Sequence, residues 1–163
     1  MKVLALDPAG ELFGLAGIEL IDGQLNLYFN FLLSAPESFN STQKNNYMAH
    51  ACAALISQIK PQIIVSERPW GMGFSKESLS QLMGAIKAET WQNIEWQGVS
   101  EARKALMGEG YGGEDKKTSA EWLLEYNWNR SSKMLISKLI EQAGADLRSG
   151  YDILDAIMHG TVS

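Results

Sequence analysis

The feature that most constrains this chain is its first predicted strand, an apolar run that ends at a single acidic residue. In the segment KVLALDPAG, Val3 to Leu6 are all apolar and Asp7 follows directly. A continuous apolar run of this kind is typical of a strand that is buried on both faces. A carboxylate at the end of such a strand is costly to desolvate, so it normally has a partner such as a metal ion or a base. We expect Pro8 to stop the strand and Gly10 to turn the chain.

The remaining elements predict an α/β protein. Strands over Leu12–Leu20 and Gln24–Leu33, joined by a hairpin at Asp22-Gly23, complete a three-strand antiparallel meander. The elements that follow are a helix from a cap at Ser41 or Thr42 to Lys60, a strand Ile63–Ser66 ending at Glu67, a helix capped by Ser75 and running to Thr90, a strand Ile94–Val99, and helices over Ser100–Met107, Lys116–Tyr126, Ser131–Ala143 and Tyr151–His159. This order predicts a five-stranded mixed sheet, the meander plus two parallel strands, with helices on both faces. That is the plan of the ribonuclease H-like fold.

Composition narrows the class of protein. The 163 residues suit one domain. The single cysteine, Cys52, excludes an internal disulfide and fits a reducing compartment, where it serves as a small core residue. No apolar run approaches membrane-spanning length and MKVLAL is too short for a secretory signal, so we expect a cytoplasmic protein without a membrane partner.

The charge distribution bears on a nucleic-acid partner. The net charge of −5 argues weakly against one. However, seven of the 14 Lys and Arg residues lie between Arg103 and Lys138, where there are only five acids, so this segment has a local balance of +2.

Four carboxylates are placed to converge. Asp7 and Glu67 each end a predicted strand, and sites in open α/β sheets collect beyond strand ends. Asp152 and Asp155 are three residues apart on the last predicted helix, hence on one face. Singly, each acid has an ordinary explanation as a turn cap, a helix cap or a partner of Arg68. Jointly they would repel one another, and Mg²⁺ or Mn²⁺ with all-oxygen ligands resolves that repulsion. Two such ions about 4 Å apart support phosphodiester hydrolysis.

Three blocks occur in order along the chain: LALDPAGELFG, IIVSERPW and YDILDAIMHG. Together they resemble the RuvC-type Holliday junction resolvases of the retroviral-integrase superfamily. The resemblance implies that residues 1–163 form a single ribonuclease H-like nuclease domain that nicks branched DNA. It implies two Mg²⁺ ions, with Mn²⁺ substituting, held by Asp7, Glu67, Asp152 and Asp155. It also implies a homodimer without a nucleotide cofactor, and small members of this kind are familiar from bacteriophages, which act in the host cytoplasm.

The same resemblance implies a basic residue after the fifth strand and another about a dozen residues later. The candidates are Arg103 or Lys104, then Lys116 or Lys117, which would neutralise phosphates of the cleaved strand or stabilise charge in the transition state. We expect Lys104 and Lys116 to be catalytic and all four to contact DNA. The alternative is that they are ordinary solvated cations around a glycine-rich loop.

Arg68 and Trp70, which follow Glu67 in the chain, are further DNA-binding candidates. The resemblance implies that Trp70 stacks near the junction point, although a packed or interface tryptophan is about equally expected. Arg68 either contacts phosphate or balances Glu67. His159 lies four residues after Asp155, so an approach to the metals is a minor alternative to ordinary packing; His50 is expected to be structural or solvated.

Dimerisation is implied by the resemblance alone. In the family it uses the helix after the Trp70 loop, whose apolar stripe here is Leu79, Leu82, Met83 and Ile86. Packing of that helix on the sheet would use the stripe fully.

The loop after Asp7 departs from the family pattern. Resolvases of this type usually have a second glycine and a hydroxyl residue there, whereas this chain has Ala9, Gly10 and Glu11. Alternatives to a junction nuclease are a nuclease acting on RNA/DNA hybrids or other branched substrates, and an inactive junction-binding module. Ribonuclease H proper carries a glutamate on its first long helix, which the predicted helix to Lys60 lacks. The presence of all four acids argues against an inactive module.

Overall fold

The structure is a computed structural model that describes residues 1–9, 12–68, 74–111, 115–145 and 150–162. Five strands and six helices are named here in chain order. The strands are β1 (Lys2–Ala9), β2 (Leu12–Ile21), β3 (Gln24–Ser34), β4 (Ile63–Glu67) and β5 (Glu95–Gln97). The helices are α1 (Ser41–Ile59), α2 (Phe74–Thr90), α3 (Val99–Met107), α4 (Lys116–Leu123), α5 (Arg130–Ala145) and α6 (Gly150–Thr161). Within these described ranges, no helix is long and apolar enough to cross a membrane.

The strands form one mixed sheet in the order β3-β2-β1-β4-β5. β1 runs antiparallel to β2 and parallel to β4, and β4 runs parallel to β5. The central position of β1 explains its near-continuous apolar sequence, because both of its faces are covered. The predicted meander plus two parallel strands is therefore confirmed.

Helices cover both faces of this sheet, as predicted. One core lies between the sheet and helices α1 and α2, and the other lies between the sheet and helices α3 to α6. Alternate residues of β1 divide between them: Leu4 and Leu6 join the α1/α2 core, whereas Val3 and Ala5 join the α6 core. The strand period of two therefore directs Asp7, which follows Leu6, toward the α6 side.

The prediction that Pro8 stops the first strand is wrong. β1 continues to Ala9, and Pro8 is paired with Phe13 of β2. Pairing with β4 ends at Leu6, so beyond that residue β1 has a partner on one side only. Proline is tolerated in such an edge position because no second ladder requires its missing N–H.

Two predicted helix caps are also wrong. Asn40 caps α1: its side chain accepts a hydrogen bond from the Gln43 N–H at 3.0 Å, and the Gln43 side chain accepts from the Asn40 N–H at 2.9 Å. This reciprocal pair satisfies two helix-end donors, and Ser41 becomes the first helical residue. The second helix begins at Phe74, so Ser75 lies inside it.

A bulge makes β3 serve both cores. Pairing with β2 shifts between Gly17 and Ile18, and Tyr28 is the extra residue. Before it, Leu27 packs in the α6 core; after it, Phe29 packs against the α1/α2 core. The alternation of apolar residues in the sequence does not show this change of face.

Helix α6 lies directly on β1 and β2 because small residues line the contact. A Cβ on Gly14 would lie 2.6 Å from the carbonyl carbon of Asp152, and one on Gly160 would lie 2.8 Å from Ile18 Cδ1. Ala156 is fully buried in the same contact region. Gly14 therefore allows β2 to approach the backbone of the helix that carries two of the acids.

Replacing Gly14 with alanine is expected to push α6 off the sheet. Overpacking of this kind destabilises a core by about 1–3 kcal/mol, and each kcal/mol corresponds to roughly 2–4 °C in Tm for a chain of this size. Thermal unfolding followed by circular dichroism measures the change. The matched control is Gly144→Ala in α5, where an added Cβ meets nothing within 4 Å. Equal melting temperatures for the two variants would contradict the close contact.

Candidate active site

The register of the two central strands places Asp7 beside Glu67. The β1–β4 ladder pairs Ala5 with Val65 and Leu6 with Ser66, so the next residues along each strand are the two acids. Both point to the α6 side by the strand period. The two side chains are close enough to interact directly, and this proximity helps to raise the pKa of Asp7.

Helix α6 adds Asp152 and Asp155 to this pair. Both side chains are buried. Because residues three apart share a helix face, Asp152 and Asp155 lie together, while Leu154 and Ile157 of the same helix pack in the core. Both also exert electrostatic repulsion on Asp7. The predicted convergence of the four acids is thus present in the structure, at the carboxyl ends of the parallel strands.

One ammonium group lies among these carboxylates. Lys116, the first residue of α4, has its Nζ 2.6 Å from Asp155 Oδ2 and 3.7 Å from Asp152 Oδ1. Burial opposes the charge of Lys116, but attraction to Asp155 and to the other acids prevails and raises its pKa. Lys116 is therefore protonated and offsets part of the negative charge.

The surroundings of the acids disfavour their charged forms. Burial raises the pKa of Asp7 well above its usual range, and the hydrogen bond to Glu67 and the charges of Asp155 and Glu67 add to the effect. Burial likewise raises the pKa of Glu67 and of Asp152, although Lys116 acts in the opposite direction on both.

This donor set fits hard divalent cations by its chemistry. All of its ligand atoms are carboxylate oxygens, and Asp7 is only 3% exposed, so a cation there would relieve a repulsion that solvent does not screen. Across the described residues, no group of three or more Asp, Glu, His or Cys side chains is already at coordinating separation. A cation held by all four acids would therefore need their side chains to come closer together and Lys116 to withdraw from Asp152 and Asp155.

The structure distinguishes the paired basic candidates. Arg103 of α3 bears electrostatically on Glu67, whereas Lys104 Nζ lies 3.4 Å from Glu109 Oε2. Lys116 reaches the acids, whereas the Lys117 Nζ lies 4.0 Å from Glu121 Oε1, one turn along the same helix. The geometry thus favours Arg103 and Lys116 for the site. Among the described residues, Lys104 makes no contact with the four acids that would support the catalytic role predicted for it.

The remaining candidates lie apart from the carboxylates or outside the described residues. Arg68 Nη2 lies 3.8 Å from Glu101 Oε2, so it does not serve as the partner of Glu67. Trp70 falls within 69–73, outside the described residues. His50 Nδ1 lies 3.1 Å from Glu89 Oε2 on the surface and links α1 to α2.

His159 is a packed residue. It is fully buried, and its Nδ1–H donates to Gln97 Oε1 at 2.7 Å. Burial lowers the pKa of His159 to about 4, and the nearby Arg103 acts in the same direction, so the ring is neutral at physiological pH. Sequence reasoning missed Gln97 as its partner, since no pattern in one sequence links a residue of a short edge strand to a helix 62 positions later.

Comparison with solved structures places the fold among Holliday junction resolvases. RuvC of Thermus thermophilus matches with a TM-score of 0.72 and 12% identity, covering 99% of this chain and 92% of that protein; the same protein is also solved in complex with a Holliday junction substrate. The yeast mitochondrial resolvase Ydc2 matches with a TM-score of 0.64 and 9% identity, over 98% of this chain and 76% of that one. The fowlpox virus resolvase, solved with Holliday junction DNA, matches with a TM-score of 0.59 and 13% identity, over 99% and 95%.

No protein-family model and no curated protein matches the sequence. At identities of 9 to 13%, the structural similarity establishes a shared fold. The resemblance read from the three sequence blocks is confirmed at that level.

The raised carboxyl pKa values predict that the site costs stability when it holds no metal. A native state that binds more protons than the unfolded chain loses stability as pH rises from the unfolded value of about 3.9 through the folded value. Above that window, Asp7→Asn removes the buried acid, so its Tm without metal should exceed that of the wild type. The expected gain is about 2–4 °C for each kcal/mol of repulsion relieved.

Titration with Mg²⁺ completes this test. The ion should raise the Tm of the wild type, because it binds the folded state only, and should have little effect on Asp7→Asn. The surface variant Asp115→Asn, whose carboxylate caps α4, should respond to Mg²⁺ as the wild type does. A lower metal-free Tm for Asp7→Asn would contradict the assigned repulsion.

Proposed function

We propose that this protein is a divalent-metal-dependent endonuclease that nicks branched DNA, with Holliday junctions as the leading substrate. The observation that carries the proposal is the convergence of Asp7, Glu67, Asp152 and Asp155 at the carboxyl ends of β1 and β4. A shared fold does not by itself define an activity. The local chemistry of the carboxylates supports the same class of reaction as that of the resolvases with a similar fold.

The four acids would hold two Mg²⁺ ions, with Mn²⁺ able to substitute. Ions bound there would activate a water molecule and stabilise the leaving oxygen of a phosphodiester. The buried position of the acids restricts their orientation, and the backbone of α6 at Asp152 packs directly against Gly14 of β2. Carboxylates must be deprotonated to bind a metal ion, and the pKa values of Asp7 and Glu67 are both raised. Binding of Mg²⁺ should therefore become easier as pH rises.

Lys116 is the cation best placed to act on the substrate. In the metal-free arrangement its Nζ is bound to Asp155 at 2.6 Å. Once the carboxylates hold cations, Lys116 would no longer be needed to offset their charge, and its position at the start of α4 would let it meet a phosphate oxygen of the cleaved strand. Arg103, which bears on Glu67 from α3, would add a second positive charge next to the site.

The alternative functions differ from this proposal in substrate or in catalysis. Hydrolysis of RNA/DNA hybrids or of other branched DNA would use the same carboxylates, and an inactive junction-binding module would not need them. The cost in stability of four converging acids favours an active site, because a binding surface gains nothing from buried mutual repulsion.

Cleavage of a synthetic four-way junction tests the proposal. With Mg²⁺, the wild type should nick the junction at symmetric positions, whereas Asp7→Asn should bind it and lose cleavage by at least about 10³-fold, because a ligand to the ions is removed. Gel electrophoresis of end-labelled strands measures both. Forked, flapped and RNA/DNA hybrid substrates are assayed in parallel, and a preference for the hybrid would replace the junction assignment. Equal cleavage by wild type and Asp7→Asn would refute the metal site.

The neighbouring lysines of α4 provide a matched pair. Lys116→Ala should lower the cleavage rate by about 10²-fold, the effect of removing one donor that stabilises developing charge. Lys117→Ala removes an identical side chain that is paired with Glu121 and should cleave within about twofold of the wild type. Circular dichroism verifies that both variants fold. Similar rates for the two variants would remove Lys116 from the mechanism.

A further inference from the structure

A groove of about 540 Å³ opens between α2 and β5, outside the carboxylate site. Its lining includes Met83 and Ile94 as an apolar floor, the ring of Trp96, and the cationic side chains of Arg68 and Lys87. The ladder pairs Trp96 with Ser66, so the ring lies on the α1/α2 side of the sheet, opposite to the side that Asp7 faces. Neither Lys87 nor Trp96 has a role in the site described above.

The chemistry of this lining is unusual for packing. Trp96 is 42% exposed on an edge strand, and none of the described residues that line the groove is acidic. Exposed aromatics interleaved with cations are the arrangement by which proteins bind unpaired nucleic acid, since the ring stacks on a base and the cations meet the backbone phosphates. An uncharged apolar partner would leave Lys87, for which the described residues supply no ion pair, without a counter-charge.

A second exposed tryptophan follows the helix that lines the groove. Trp91 directly follows α2, is 90% exposed and has a backbone φ of 57°. A bulky residue with left-handed backbone is strained, and the position after a helix usually carries glycine. The strain presents an indole to solvent where glycine would cost less, which is a feature of functional surfaces.

The groove is continuous with the carboxylate site through the backbone. Arg68 directly follows Glu67, which ends β4 among the acids. The contact of Arg68 with Glu101, at 3.8 Å between two exposed side chains, is weak enough for a phosphate to replace it. A DNA strand bound at the acids would pass around the end of β4 at Arg68 to reach Trp96 on the other side of the sheet.

We propose that this groove binds an unpaired nucleotide of the DNA substrate, with the base on Trp96 and the phosphate between Arg68 and Lys87. Branch points are where a duplex offers unpaired bases, so the groove would favour branched over fully paired DNA. The inference rests on the proposed function for the identity of the ligand, and it adds a subsite that reads the unpaired state.

Fluorescence anisotropy with a labelled thymidine hexanucleotide tests the proposal, in full-length protein carrying Asp7→Asn so that no cleavage interferes. Trp96→Ala should weaken binding about fivefold or more, the effect of losing one base stack. Trp96→Phe should restore most of it. Lys87→Ala should weaken binding and reduce the salt dependence, log Kobs against log salt, by about 0.7, the value for one phosphate contact with a single strand.

Controls match each change elsewhere on the surface. Trp122 is 37% exposed on α4, and Lys138 is exposed on α5. Trp122→Ala and Lys138→Ala should each bind the hexanucleotide within about twofold of the parent. Thermal unfolding verifies that Trp96→Ala folds. If Trp96→Ala does not fold, the affinity of Trp96→Phe and of Lys87→Ala still tests the proposal.

Two results would overturn the proposal: hexanucleotide affinity unchanged by both Trp96→Ala and Lys87→Ala, or a change in the molecular mass of Trp96→Ala in solution without any change in affinity. The second would assign the groove to a second copy of the chain. These outcomes are independent of junction cleavage by the chain with Asp7 intact. If the groove does not bind the hexanucleotide but junctions are still cleaved, only the subsite proposal is refuted. If the groove binds it but no junction is cleaved, only the proposed nuclease activity is refuted.

Discussion

The contact of α6 with the sheet is the constraint on which the rest of the site depends. Gly14 lets the backbone at Asp152 touch β2, and Gly14 is itself paired with Asp7 across the β1–β2 ladder. One close contact thus brings an acid of the helix to an acid of the central strand. Because the contact is between backbone and backbone, no side-chain rearrangement can relieve an added methyl group. The positions of Asp152 and Asp155 are therefore determined by packing, before any metal or substrate is present.

That packing stabilises the fold against an electrostatic cost at the site. Asp7 is buried with three other carboxylates, and burial raises its pKa most strongly through lost solvation. Lys116 offsets only part of the charge, and it does so from the first turn of α4, where it can withdraw without disturbing the core. Two apolar cores, one on each face of the sheet, provide the stabilisation that offsets this electrostatic cost. Buried repulsion of this kind is a feature of sites that act on a charged ligand, since stability is given up for function.

Much of this arrangement could be predicted from the sequence because strand ends and helix spacing have a direct geometric meaning. Asp7 and Glu67 converge through β1–β4 pairing, and Asp152 and Asp155 share a face through a spacing of three, as expected. Features set by tertiary contacts were not predictable. In α1, helical spacing alone offers the stripe Tyr47, Ala51, Ala54, Leu55 and Ile59, whereas the buried residues are Met48, Ala49, Cys52 and Ile56. An apolar helix offers several adjacent stripes, and the sheet selects among them. The bulge at Tyr28 and the choice of Arg103 over Lys104 likewise depend on neighbours distant in the chain.

The acidic composition is compatible with a DNA partner once the role of the four acids is considered. On the proposed function, two divalent ions bring four positive charges and change the formal net charge from −5 to about −1. The remaining negative charge is spread over the surface, whereas Lys116, Arg103, Arg68 and Lys87 lie at or beside the acids and the groove. Without metal, the carboxylates would repel a phosphate backbone, whereas cations held by them would attract it. Binding of metal and of DNA should therefore favour each other, because coupling between two sites is reciprocal. The net charge of the sequence alone conceals this, since it counts as surface charge the four residues that the metal ions would neutralise.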